Sequence, residues 1–162
     1  MNELVTEEQS IEAPQIRELD CLLIPLKDKN LLLPNVTVAE VIPFSHLLPS
    51  ASHHDWLLGH IDWRGQRLPA VCYEILNGQA APAPNPQARF IIVNNTLPGQ
   101  LLNFYAILVQ GIPRLFHVEA NALQQLDGMA EGPYDEMTVN VNDVNAMIPN
   151  LDGLSTLVQG LN

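Results

Sequence analysis

Positive charge is what this 162-residue chain has least of: 7 lysines and arginines stand against 18 aspartates and glutamates, for a formal net charge of −11. A phosphate backbone would be repelled over most of such a surface, so nucleic acid is excluded as a partner. Cysteine is scarce too. Cys21 and Cys72 stand alone, each inside an apolar run, with no CxxC spacing. They read either as small core residues in a reducing compartment or as one disulfide between neighbouring strands. No run approaches the roughly 18 apolar residues of a membrane helix, so direct membrane insertion is not expected. The opening MNELVTEEQSIEAP has acids where a signal peptide would be basic, which points to a soluble cytoplasmic protein. Phosphate-cradling loops of the GxxxxGK and GxGxxG types and the GxSxG elbow are all missing. No residue asks for an enzyme, and no cofactor is called for.

What is present is apolar material: 47% of residues are hydrophobic, enough to pack an interior. Residues 1–18 are acidic and aperiodic and read as a flexible tail. CLLIPL and LLLP, separated by KDKN, read as a first β-hairpin. NVTVAEVIPF (Asn35 to Phe44) fits either a strand or one helical turn before a strand. LLGHIDW and RLPAVCYEIL read as a second hairpin around Arg64-Gly65-Gln66, with glycine supplying the turn. The proline-rich stretch 78–88 lacks backbone donors and reads as a solvated loop joining two halves. FIIV and LLNFYAILV make a third hairpin. IPRLFHVEANALQQL starts extended and ends helix-compatible, and MTVNVNDVNAMIP gives a fourth pair of strands. Leu151, Leu154, Leu157, Val158 and Leu161 recur at helical spacing, as in a closing amphipathic helix. Short strands, frequent turns and 13 prolines make the chain mainly β. The continuous apolar runs imply strands covered on both faces, as in small barrels packed together.

Two constellations carry possible chemistry. His53, His54, His60 and Asp62 form the densest group of ligand-type side chains, and on a strand His60 and Asp62 share a face. A small metal-dependent enzyme is therefore the competing reading, although the spacing fits no zinc signature. Arg64-Gly65 is the other. A guanidinium beside a hairpin glycine is either an exposed turn residue or the rim of an apolar surface made by Leu57, Gly59 and Ile61 that a partner covers.

Trp56-Leu57-Leu58-Gly59-His60-Ile61-Asp62-Trp63-Arg64-Gly65-Gln66-Arg67-Leu68-Pro69 resembles the CheW-like adaptor domain, with an apolar residue and glycine, a strand ending in Arg-Gly, and an apolar strand carrying proline. Val38-Ala39-Glu40-Val41-Ile42 is similar to the family's stretch of valine and glutamate before an isoleucine. The resemblance spans about Leu19 to Leu161 and is most specific from Gly59 to Pro69. It implies two small five-stranded SH3-like β-barrels around a shared core with a short C-terminal helix, a single domain over residues 19–161, and no catalysis. It also implies an adaptor between a chemoreceptor's helical tip and the regulatory domain of a CheA-type histidine kinase. Val38, Val41, Leu57, Gly59 and Ile61 would form the groove, with Arg64 and Gly65 at its edge. Asp62-Trp63, Cys72-Tyr73 and Val109-Gln110 depart from the usual family pattern. They suggest a divergent ChpC- or PilI-type member serving type IV pili and twitching.

Overall fold

The computed structural model describes residues 18–97, 99, 102–127 and 131–161. The expected tail lies outside these residues except for Glu18, which opens the first strand. Eleven strands follow in order: β1 (Glu18–Pro25), β2 (Asn30–Pro34), β3 (Val38–Pro43), β4 (Leu57–Trp63), β5 (Gln66–Val71), β6 (Arg89–Asn94), β7 (Phe104–Val109), β8 (Arg114–Glu119), β9 (Leu123–Gln125), β10 (Asp135–Val141) and β11 (Val144–Pro149). Helix α1 (Tyr73–Leu76) follows β5, and α2 (Leu151–Gln159) closes the chain. The strands form a six-stranded sheet, β9-β10-β11-β2-β1-β8, and a five-stranded sheet, β3-β6-β7-β5-β4.

The continuous apolar runs are explained by burial on both faces. Along β1 and β2, Cys21, Leu23 and Leu32 enter the interior of the six-stranded lobe with Val118, Val139 and Val141. Their neighbours Ile24, Leu31 and Leu33 point the other way, into a layer between the lobes. In β6 the same alternation sends Phe90 and Ile92 into the five-stranded lobe and Ile91 and Val93 into the shared layer. The shared layer contains 15 buried residues, against 7 inside each lobe. The largest single share of the hydrophobic stabilisation therefore sits between the lobes, and each depends on the other. Helix α2 seals this layer with Leu154 and Val158, both fully or nearly buried, flanked by Leu151, Leu157 and Leu161. Asn150 caps it by accepting the Gly153 N–H at 2.9 Å.

Both sheets curl. The edges of the six-stranded sheet, β8 and β9, are joined only by the 3-10 turn Ala120–Ala122. Such a link spans at most about 14 Å. A flat sheet of that width would hold its edges about 24 Å apart. The sheet must roll up. In the five-stranded sheet the edges β3 and β4 are brought together by side chains: the Trp63 indole N–H on β4 donates to Glu40 Oε1 on β3 at 3.0 Å.

All four hairpins form, each antiparallel. Val38–Pro43 is a strand preceded by a 3-10 turn, Asn35–Thr37, the second of the two expected forms. Three expectations are corrected. The stretch YEIL is helix α1 rather than the end of a strand, because the chain must turn after β5 to cover the shared layer with Tyr73 and Leu76. The helix-compatible LQQ is strand β9, because pairing with β10 satisfies its backbone. Loop 78–88 links α1 to β6, so β5 and β6 flank it within one sheet. The chain crosses between lobes at 35–37 and 110–113 instead. The six-stranded sheet also has one strand more than five because of β9. Both cysteines are free and buried, so the disulfide option falls. Burial pushes the Cys72 thiol up to about 11, and the nearby Glu74 carboxylate adds to the rise, which leaves it a protonated core residue.

A polar seam holds the lobes in register. Asp135 at the start of β10 takes Lys29 Nζ at 3.0 and 3.1 Å, the Tyr73 hydroxyl at 2.6 Å and its own loop's Gly132 N–H at 2.8 Å. Burial and that hydrogen bond push the Tyr73 phenol far above its ordinary range, so it stays a donor. Beside it the Lys27 N–H donates to buried Glu74 at 3.0 Å, and the Tyr134 N–H donates to Asn77 Oδ1 at 2.8 Å.

Candidate docking surface

The β4–β5 turn is a two-residue turn, since Trp63 pairs directly with Gln66. Arg64 (φ 47°) and Gly65 (φ 77°) both take the left-handed backbone that a type I′ hairpin turn requires. Arginine there is strained by about 1–2 kcal/mol. Its side chain offsets that strain. Arg64 Nη2 donates to Glu40 Oε1 at 3.0 Å, and its guanidinium lies 4.8 Å from the centre of the Trp63 ring. One carboxylate oxygen on β3 thus takes two donors from the β4 end. Trp63 is buried edge-on against Phe104, with ring centres 4.9 Å apart. Arg64 remains 68% exposed, so the guanidinium braces the turn and still faces solvent.

Glu40→Ala is expected to lower stability by about 1 kcal/mol, modest because the ion pair is largely exposed. The decisive readout is the Trp63 indole N–H resonance, which should move upfield and lose protection from exchange. An unchanged resonance would show that Glu40 does not hold it.

The expected site residues divide into two sets. Val41 and Gly65 are exposed with Arg64, and Val38 is half-buried at the edge of the shared layer. Leu57, Gly59 and Ile61 are buried, and the surface expected from them is interior, because β4 turns its odd-numbered residues inward. Gly59 does allow a close backbone approach, but from the chain itself. Leu48 and His60 exchange backbone hydrogen bonds at 2.7 and 2.9 Å, and a Cβ on Gly59 would lie 2.5 Å from the Leu48 carbonyl oxygen. In the open are Val36, Val41 and Phe44 along β3 and its flanks, and Leu19, Ile112 and Leu115 along β1 and β8. Sequence reasoning gave no role to Glu40, Val36 or Phe44. A lone acid within an apolar strand was the available signal for Glu40.

Among the described residues no three His, Cys, Asp or Glu side chains converge as metal ligands. His60 and Asp62 do share the outward face of β4, but His54 stacks on Trp56 at 4.9 Å and Asp62 pairs with Arg67 at 3.5 Å. The grouping needed by the metal-dependent reading is not assembled.

The β1–β8 edge carries one titratable clasp. His117 Nδ1 lies 2.8 Å from Asp20 and Nε2 lies 3.4 Å from Glu18, and the hydrogen bond to Asp20 is the main reason its pKa is raised. Folding thus lifts this pKa above the unfolded value of about 6.5. The clasp's contribution is complete below that value and is lost as pH rises through the folded pKa. Asp20→Asn should bring the His117 midpoint down in an NMR titration. A midpoint that stays where it was would rule out the clasp.

Two closed β lobes around a common apolar layer, with an exposed cationic turn on the five-stranded one, define a two-lobed, mainly β adaptor fold class whose family the sequence itself identifies. The CheW-like domain family matches residues 20–159, and the chain belongs to that family, whose members are non-enzymatic scaffolds in chemotaxis signalling that couple chemoreceptors to the CheA kinase. The crystal structure of the scaffolding protein TtCheW from Thermoanaerobacter tengcongensis is similar in fold, with a TM-score of 0.71 and 17% identity over 84% of this chain and 91% of that one. No curated protein sequence matches the chain significantly. Among the described residues no helix is long and apolar enough to cross a membrane.

Proposed function

We propose that this chain is a cytoplasmic chemosensory adaptor of the divergent ChpC or PilI type. It links the helical tip of a chemoreceptor to the regulatory domain of a CheA-type kinase that controls type IV pili. The observation that carries the reading is the family match over residues 20–159, a range that takes in strands of both lobes. Residues 19–161 act as one domain, since the lobes share their largest core.

Val38, Val41, Arg64 and Gly65 meet the receptor, and Leu57, Gly59 and Ile61 act from inside by fixing β4 beneath them. Exposed Val41 supplies apolar contact, and Arg64 offers the donors that Glu40 leaves unused. The departures from the usual family pattern support a divergent member, because each makes a contact of its own. Trp63 donates to Glu40, Tyr73 donates to Asp135, and Gln110 accepts from Asn85 at 3.2 Å.

The test is co-sedimentation of the full chain with receptor-tip assemblies and kinase, using Val41→Asp and Arg64→Ala. Both positions are exposed, so the variants should fold. Each should weaken receptor binding by about tenfold or more, as removal of an interface anchor does. Unchanged binding in both would remove this surface. Loss of twitching in a deletion strain, with swimming intact, would support the pilus assignment, and the reverse would end it.

A further inference from the structure

At one end of the shared layer, where the β4–β5 hairpin meets the end of α2, the surface opens into a notch of about 200 Å³. Its apolar wall is Pro69, Leu102, Val158 and Leu161, and its rim carries His60, Arg67 and Gln159, whose side-chain amide donates to the Leu102 carbonyl at 2.8 Å. We propose that this notch holds one apolar side chain of an acidic partner segment, with a neighbouring carboxylate of that segment on Arg67.

Size argues for a single side chain. Pockets that enclose small-molecule ligands run to roughly 300–1,000 Å³, so this notch is too small for most metabolites and suits one aliphatic or aromatic anchor. The rim argues for the charge. Among the described residues Arg67 has one partner, Asp62, reached through Nε at 3.5 Å, with the two side chains 65% and 67% exposed. An exposed pair of that length contributes little and leaves both terminal nitrogens for a forked bond to a carboxylate. Among the described residues no side chain hydrogen-bonds the His60 ring, and burial, aided by Arg67, lowers its pKa. It therefore meets the partner as a neutral ring, able to donate. The chain carries 18 acids against 7 bases, so an acidic segment is repelled over most of the surface and the Arg67 guanidinium sets where it lands. The larger groove of about 490 Å³ beside Phe44 and loop residues 82–86 offers no comparable selectivity, since Asn85 and Gln110 at its edge are bonded to each other.

The experiment is an NMR titration of the full chain with blocked acetyl-Glu-Leu-Glu-amide and, as control, acetyl-Lys-Leu-Lys-amide. The acidic peptide should produce saturable shifts at His60, Arg67 Nε and Leu161, and should raise the His60 midpoint. It should bind at least tenfold more tightly than the basic one. Arg67→Glu, a surface change, should reverse that preference. The proposal is overturned if shifts fail to saturate at several millimolar peptide, or if Arg67→Glu leaves the preference as it was. It is equally overturned if the same signals move on dilution of the protein alone, which would make a second copy the occupant.

Discussion

Asp135→Ala is expected to lower the free energy of unfolding by about 3–5 kcal/mol, the range for removing one partner of a buried ion pair. The Asp135 side chain is 1% exposed, and Lys29 beside it is 21% exposed. The substitution strips an acceptor from the Lys29 ammonium, the Tyr73 hydroxyl and the Gly132 N–H together, and little water can replace it. Urea unfolding of the variant measures the loss. Lys29→Met should cost less, about 1–2 kcal/mol, because Asp135 keeps two donors. The double variant should be less damaging than the sum, since the second change removes a charge already without its partner. A loss below 1 kcal/mol for Asp135→Ala would mean that the seam is hydrated and does not hold the lobes.

Gly59→Val is the second large effect, expected at about 2–5 kcal/mol from backbone strain and overpacking combined. The residue sits at φ 143°, where side chains are disfavoured, and the Leu48 carbonyl oxygen occupies the space a Cβ needs. That oxygen belongs to backbone already hydrogen-bonded to His60, so it cannot swing aside as a side-chain tip would. Hydrogen exchange locates the damage. The Leu48 and His60 amides should lose protection first, while β6 and β7 keep theirs. If both amides stay protected and stability is unchanged, the approach of Leu48 is not a constraint. The prediction also separates two roles for this glycine, because weakened partner binding by the variant would then follow from a displaced β4.

Most of the fold was legible because apolar runs and turn residues agree. CLLIPL and LLLP stand on either side of four polar residues, and NVNDVN places Asn142 and Asp143 where a tight turn needs left-handed backbone. YEIL and LQQ were misread for opposite reasons. A four-residue segment is too short for a period to separate helix from strand, and in LQQ backbone pairing with β10 outweighed side-chain propensity. The site was harder to see. Alternation in LLGHIDW is plain, yet an apolar face reads the same whether the protein's own core or a partner covers it, so Leu57 and Ile61 were given to a partner surface when they belong to the interior. Arg64 was read as either an exposed turn residue or the rim of a partner-covered surface, and the acceptor that lets it brace the turn went unseen. It braces the turn and stays exposed because Glu40 arrives from a strand that the local sequence does not show.

The lobes are unequal in how the chain makes them. The five-stranded sheet is continuous in sequence, from β3 to β7, whereas β1 must wait for β8, so that Leu23 finds Arg114 only after every strand of the five-stranded sheet has been made. During synthesis the first hairpin therefore has its apolar faces bare while the middle of the protein is able to form its own pairings. Contacts so distant in sequence close slowly. Completing the six-stranded sheet requires the capture of β1 by β8 across all the chain that makes the five-stranded sheet.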